Sequence, residues 1–362
     1  MTEATATSAA WRALLEQLAS AEALLSDPSR GSFDAADHVA HFRHLTHLTS
    51  YAFDLCIESD PNHPAFVPLA APTKKILGDN TDSVYHYTNI SGRGRYRITG
   101  RRADECYLSF IVHGGPDRAT TSSQRTIDNL NMQAMQVGDD GSFEITVSAE
   151  EAPGNWLRLE DDATCIITRE YYFDRRVDRP ATFSIERLDD LRAPLAFDDA
   201  GFAARLAACS RFVTDVLRMV PMRSTAATNA FDPPFRFLVT MPSWGTPDNV
   251  YCRASFDLAP DEALVVRGHV VPAAYWGVQL WNRFMQSLDY RYHRASLNTR
   301  TAVLGPDGSF EIVIAALDPG VANWIDTSGH RLGEVFVRWL CPEGEPTRPD
   351  AEVVPVASLA GR

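Results

Sequence analysis

Apolar residues follow two regimes along the chain. In three segments they recur every three to four positions. Over 8–26, Trp11, Leu14, Leu15, Leu18, Ala21, Leu24 and Leu25 form the stripe of an amphipathic helix. A second helix is predicted from about 34 to 57, with Asp34 near its start and Pro61 and Pro64 beyond its end. A third covers 201–220, where Phe202, Leu206, Cys209, Phe212, Val213, Val216, Leu217 and Val220 share one face before Pro221. Elsewhere the pattern is short β-branched and aromatic runs between turn residues. YRITG, CYLSFIVHG, SFEITV and TCIITREYYF come first, then ALVVRGHV, YWGVQLWN, FEIVIA and EVFVRWL, and all read as strands.

These runs repeat. GDDGSFEITVS at 138–148 returns as GPDGSFEIVIA at 305–315, so Phe310 follows Phe143 by 167 residues. Asn155-Trp156 returns as Asn323-Trp324 and Gly100 as Gly268, both after 168 residues. Leu130-Asn131 returns as Leu297-Asn298 after 167, and Val84-Tyr85 as Val250-Tyr251 after 166. A nearly constant offset over a unit of about 100 residues predicts two related domains in tandem, not a solenoid. The Asp-Gly pairs at 140–141 and 307–308 predict tight turns in which glycine supplies a positive φ.

The expected fold is mainly β with helical additions: two tandem, related β-sandwich or jelly-roll-like domains, N-terminal helices and a bridging helix. Its expected boundaries are a helical segment at 1–60, a first sandwich at 61–195, a bridging helix and connector at 196–245, a second sandwich at 246–345 and a tail at 346–362. Residues 221–249 read as irregular, and 341–362 as loosely held.

Composition narrows the partners. Of 362 residues, 34 are Lys or Arg and 47 Asp or Glu, and the net charge of −13 repels phosphate backbones, so no nucleic-acid partner is expected. No apolar run is long enough for a membrane span, and Glu3, Arg12 and Glu16 make the N-terminus read as a helix instead of a leader. Six cysteines without a CxxC pair read as free thiols of a reducing compartment, which points to the cytoplasm.

The run YWGVQLWNRFMQSLDYRYHRASLN (275–298), followed by DPGVANWIDTSGHRLGEVFVRWL (318–340), resembles the signature of the domain of unknown function 1214 family. GDNTDSVYHY (78–87) is similar to the Asn-Asp-Tyr motif that opens the N-terminal halves of those proteins, and the companion 1254-type domain carries something similar. The resemblance covers most of residues 40–340. It implies tandem sandwich-like domains with helical additions, and it brings no catalytic residues with it.

Residues common to both copies point to scaffold, and divergent ones to chemistry. At the shared offset Asp326 stands opposite Arg158 and His330 opposite Asp162. The pair is either an acid–base couple in which Asp326 orients His330, or a loop brace in which Asp326 accepts nearby N–H and hydroxyl bonds. Asp289, Tyr290, Tyr292, His293, Asn298 and Arg300 form the densest polar and aromatic cluster. They line a pocket, with Trp281 beside them, or build a strand and turn. Trp324, like Trp156, is either a core anchor or a stacking platform. Asp82 and Tyr85 recur as Asp248 and Tyr251, either as turns entering strands or as two turns converging on a cleft between the halves. His38, His41, His44 and His47 drift around a helix, so at most two share a ligand set, and no metal site is expected from them. HExxH, CxxC, P-loop and GxSxG patterns are all missing from the sequence, and no cofactor is expected.

The leading functional expectation is a metal-independent lyase, isomerase or hydrolase, using carboxylate, histidine and tyrosine groups on a small, largely apolar lipid-, terpenoid- or aromatic-like molecule. The alternatives are a non-catalytic module for a carbohydrate- or lipid-like ligand and an assembly protein. A small-molecule ligand and a homo-oligomer are the partners these readings imply.

Overall fold

The structure, a computed structural model, describes residues 5–189, 193–194, 197–220, 225–236 and 244–359; residues 221–224 and 237–243 of the expected connector lie outside them. Each predicted helix forms, and each starts on a side-chain cap. In α1 (Ala6–Ser20) Thr5 accepts from the Ser8 amide. In α2 (Ala35–Ala52) Asp34 and Asp37 build a reciprocal capping box, and in α3 (Asp199–Met219) Asp198 accepts from Gly201. Caps of this kind contribute about 1 kcal/mol each. Helix α2 runs on into a wider turn, Phe53–Glu58.

The first half contains β1 (Val67–Ala70), β2 (Ser83–Asn89), β3 (Tyr96–Arg101), β4 (Tyr107–Gly114), β5 (Arg125–Asn131), β6 (Ser142–Ser148), β7 (Asn155–Arg158), β8 (Ala163–Tyr171) and β9 (Thr182–Arg187). The second contains β10 (Asn249–Asp257), β11 (Glu262–His269), β12 (Tyr275–Trp281), β13 (Ser296–Asn298), β14 (Ser309–Ala315), β15 (Trp324–Asp326), β16 (Leu332–Leu340) and β17 (Asp350–Pro355). The described strands form four sheets, ordered β1-β2-β8-β4-β5, β7-β6-β3-β9, β10-β16-β12-β13 and β15-β14-β11-β17. Apart from β1, every strand of one half has its counterpart at the same place in the other.

The duplication extends to individual hydrogen bonds. Nδ2 of Asn155 donates to the carbonyls of Gln136 and Glu144, and Nδ2 of Asn323 donates to those of Val303 and Glu311. The indole N–H of Trp156 donates to the Ser148 carbonyl and that of Trp324 to the Ala315 carbonyl. Gly141 and Gly308 turn at φ +83 and +81.

Strand alternation creates the layers. Along β16, Val335, Val337 and Trp339 enter the sandwich core with Leu264, Phe310 and Ile312, so Glu334, Phe336 and Arg338 face the other way. In the first half Ile166 of β8 packs inside the sandwich with Ile98, Phe110 and Ile145, while Cys165 and Ile167 meet Leu48, Tyr51, Phe212 and Val213 of α2 and α3. Two sandwiches thus present the outer faces of their inner sheets to each other and to the helices.

The expected loose tail is corrected. Residues 350–355 form β17, which pairs with β11 from Glu262 to Arg267, and Leu359 beyond it is fully buried. The cause is the duplication itself: β17 follows β9 by 168 residues and closes the same sheet edge. No helix among the described residues is long and apolar enough to cross a membrane.

Candidate functional site

Where the two inner sheets and α3 converge, a cavity of about 320 Å³ remains. Its apolar wall includes Leu69, Ala70, Ile76 and Ile167 from the first half, Met219 of α3, and Trp281, Met285 and Phe336 from the second. Into it reach Tyr85, Arg169 and Tyr171 on one side and Tyr251 and Arg338 on the other. Arg338 lies opposite Tyr251 in the β10–β16 ladder, so the pair is fixed by strand register.

The wall is held by bonds between the halves. Nε2 of Gln279 and the indole N–H of Trp281 both donate to the Asp79 carbonyl, at 2.8 and 3.0 Å. The Asp79 carboxylate accepts from the amide and hydroxyl of Ser287, at 3.0 and 2.6 Å. Nζ of Lys75 donates to the carbonyls of Ser287 and Leu288, at 2.7 and 2.6 Å. Burial pushes the Asp79 carboxyl above the ordinary range and brings the Lys75 ammonium down to about 8. Asp215 of α3 ties down the loop at Thr121 and Ser122, accepting from both amides and both hydroxyls.

Backbone strain gathers on the same wall. Leu77 and Met285 have φ of 51 and 56, and Gly78 between them has φ +76 and donates its N–H to the Met285 carbonyl at 2.8 Å. A Cβ on Gly78 would lie 2.5 Å from the Trp281 ring, so only glycine lets the chain pass the indole. Strained non-glycine positions of this kind cluster at functional sites.

The residues named from sequence divide into three groups. Tyr85 and Trp281 line the cavity. Asp82 and Asn298 sit at the junction of the halves, where Oδ2 of Asp82 accepts from Asn298 at 2.8 Å and from the Tyr275 hydroxyl at 2.7 Å. The remainder stand apart from the cavity lining. Asp289 is bound to Arg291, whose guanidinium holds its carboxyl down at about 2. The Tyr290 hydroxyl accepts from Arg175, and burial raises it to about 12. Arg300 pairs with Asp178, and Trp324 packs beside Val265 and Val313 at the outer sheet.

The expected Asp326–His330 couple is corrected. Asp326 bonds instead to Nδ1 of His293, at 2.7 Å, and to the Ser328 amide. The loop reverses at Ser328 and Gly329, with φ of 53 and +81, and carries His330 toward Asp34 and Asp37 at the start of α2. Burial there lowers the His330 pKa. The histidines on α2 are mostly interior: His41, His44 and His47 are buried, and desolvation takes His44 and His47 down to about 3 and about 4.

Sequence reasoning did not single out Arg169 or Arg338. A signal existed, since each is the one Lys or Arg of its strand, Ala163–Tyr171 and Leu332–Leu340, and the two are 169 residues apart.

Residues 80–173 and 256–343 match the profile of the family described as "Protein of unknown function (DUF1214)". Among solved structures, an uncharacterised protein from Burkholderia cenocepacia is 31% identical, with a TM-score of 0.90 over 96% of this chain and 97% of its own. The VPA0106 protein from Vibrio parahaemolyticus is 13% identical, with a TM-score of 0.52 over 93% of this chain and 99% of its own, a likeness of fold. No curated protein matches the chain.

Proposed function

The chain belongs to the DUF1214 family, and from that premise we propose that it binds a small, largely apolar molecule in the cavity between its halves. The observation that carries this reading is the mostly apolar wall with a few convergent polar groups, the usual composition of a small-molecule site. The surface pair His293–Asp326 does not line that cavity, so the reading rests on Tyr85, Arg169, Tyr171, Tyr251, Trp281 and Arg338.

The test is titration with prodan, a small neutral fluorophore, beside the cavity-filling variant Ala70→Phe. Saturable binding by the native chain, lost in a variant whose circular dichroism is unchanged, supports the reading. Absence of binding, or equal binding by both proteins, overturns it.

Acid–base turnover of the same molecule is a second reading, favoured by Asp79, a buried carboxyl on the cavity wall with a raised pKa. Incubating the protein with any ligand that displaces prodan, then weighing the products by mass spectrometry, separates turnover from binding alone.

A further inference from the structure

Two guanidinium groups reach the cavity from opposite halves, and neither has an acidic partner among the described residues. Arg169 is 5% exposed and Arg338 3%. One nitrogen of Arg169 donates to the Trp244 carbonyl, while its Nη1 is buried without a partner. Nε of Arg338 is likewise unpartnered, and its guanidinium lies 5.5 Å from the centre of the Tyr251 ring. The acids nearby are already engaged. Asp82 feels the charge of Arg338, but its Oδ2 is held by Tyr275 and Asn298, and the Asp79 carboxylate is held by Ser287. A buried cation without a counter-charge is strongly disfavoured, so two of them on one apolar cavity call for an anion from outside the chain.

Building on the reading above, we propose that the natural occupant is an amphipathic monocarboxylate, its head between Arg338 and Arg169 and its apolar body against Ile76, Ile167, Trp281 and Phe336. A planar carboxylate matches the fork of a guanidinium and takes two parallel N–H bonds from it. Tyr171 adds a third donor. Its oxygen accepts from Nδ2 of Asn249 at 2.9 Å, which leaves its own proton to give. The cavity volume suits an aliphatic or aromatic acid of on the order of ten carbons. An amine of the same length meets two like charges, and the corresponding alcohol leaves both arginines without a counter-ion.

Decanoate, decanol and decylamine, each competed against prodan on the full chain, form the test. Decanoate is expected to displace the probe at concentrations about tenfold or more below decanol, with decylamine weaker still. Arg338→Gln should erase that preference, bringing decanoate and decanol to equal displacement, while Arg338→Lys restores part of it. Equal displacement by decanoate and decanol on the native protein overturns the carboxylate assignment while leaving the cavity reading intact. Failure of prodan and of all three chains to bind overturns the cavity reading itself. The native comparison needs no variant, so a variant that does not fold leaves the assignment testable.

Discussion

Tyr275 of the second half donates its hydroxyl proton to Asp82 of the first at 2.7 Å, and Tyr107 of the first half donates to Asp248 of the second. Each aspartate also takes an amide proton, from Asn298 and Asn129 respectively, at 2.8 and 2.7 Å. Replacing Asp82 by alanine strands two donors at the junction, for an expected loss of about 3 kcal/mol. Asp248→Ala should cost a similar amount. Urea unfolding followed by tryptophan fluorescence measures both, and an unchanged midpoint would show that other contacts hold the halves together.

Glu334 gives the fold a pH dependence of its own. Burial raises its carboxyl from 4.5 to about 7, with Oε1 accepting from Ser255 and Oε2 unpartnered. Because the folded pKa lies above the unfolded one, the contribution is complete below the unfolded value and is lost as pH rises through about 7. Glu334→Gln should remove the effect. The stability difference between native and variant, read from urea midpoints between about pH 5 and pH 8, should shift by about 3 kcal/mol against the native protein. A difference that stays constant with pH would contradict the assignment.

Gly78→Ala places a methyl against the Trp281 ring in a backbone region that alanine disfavours. The expected cost is about 2–4 kcal/mol, from left-handed strain and displacement of the indole together. Prodan affinity should fall with it, because the same ring forms the cavity wall. A stable variant with native affinity would mean that the wall yields easily.

Asp326→Asn and His293→Ala are expected to do little. Their pair is 17% and 41% exposed at its two side chains, and such bonds contribute under about 1 kcal/mol. Neither change should alter prodan or decanoate binding. A loss of binding in either would bring the acid–base reading of this loop back into play.

The two-fold repetition was legible because it is written twice. Strands, Asp-Gly turns and the Asn-Trp pair all recur at one offset, and chance does not keep an offset across that many landmarks. The same offset reaches beyond 345 to β17, whose weak alternation of Ala351, Val353 and Val354 otherwise hides a strand. The site was harder to read. Four residues of spacing between Asp326 and His330 say nothing about direction, and two positive-φ residues between them turn the imidazole away. Arg169 and Arg338 were masked by the buried strands that carry them, because a periodicity argument averages over single residues. Which side chains face one another across the junction depends on tertiary packing between copies.

The reciprocal Tyr–Asp bonds have the form of an isologous dimer contact, in which the same surface serves as both partners. Here that contact is closed within one chain. Two identical subunits would have to present identical walls to a cavity on their shared axis, whereas a fused pair is free of that constraint. The walls already differ: Trp281 of β12 closes one side, Ile167 of β8 the other, and Arg169 is tethered to Trp244. A symmetric pair of sandwiches has thereby acquired a cavity with a distinguishable head and tail, which is what orienting a molecule with two unlike ends requires.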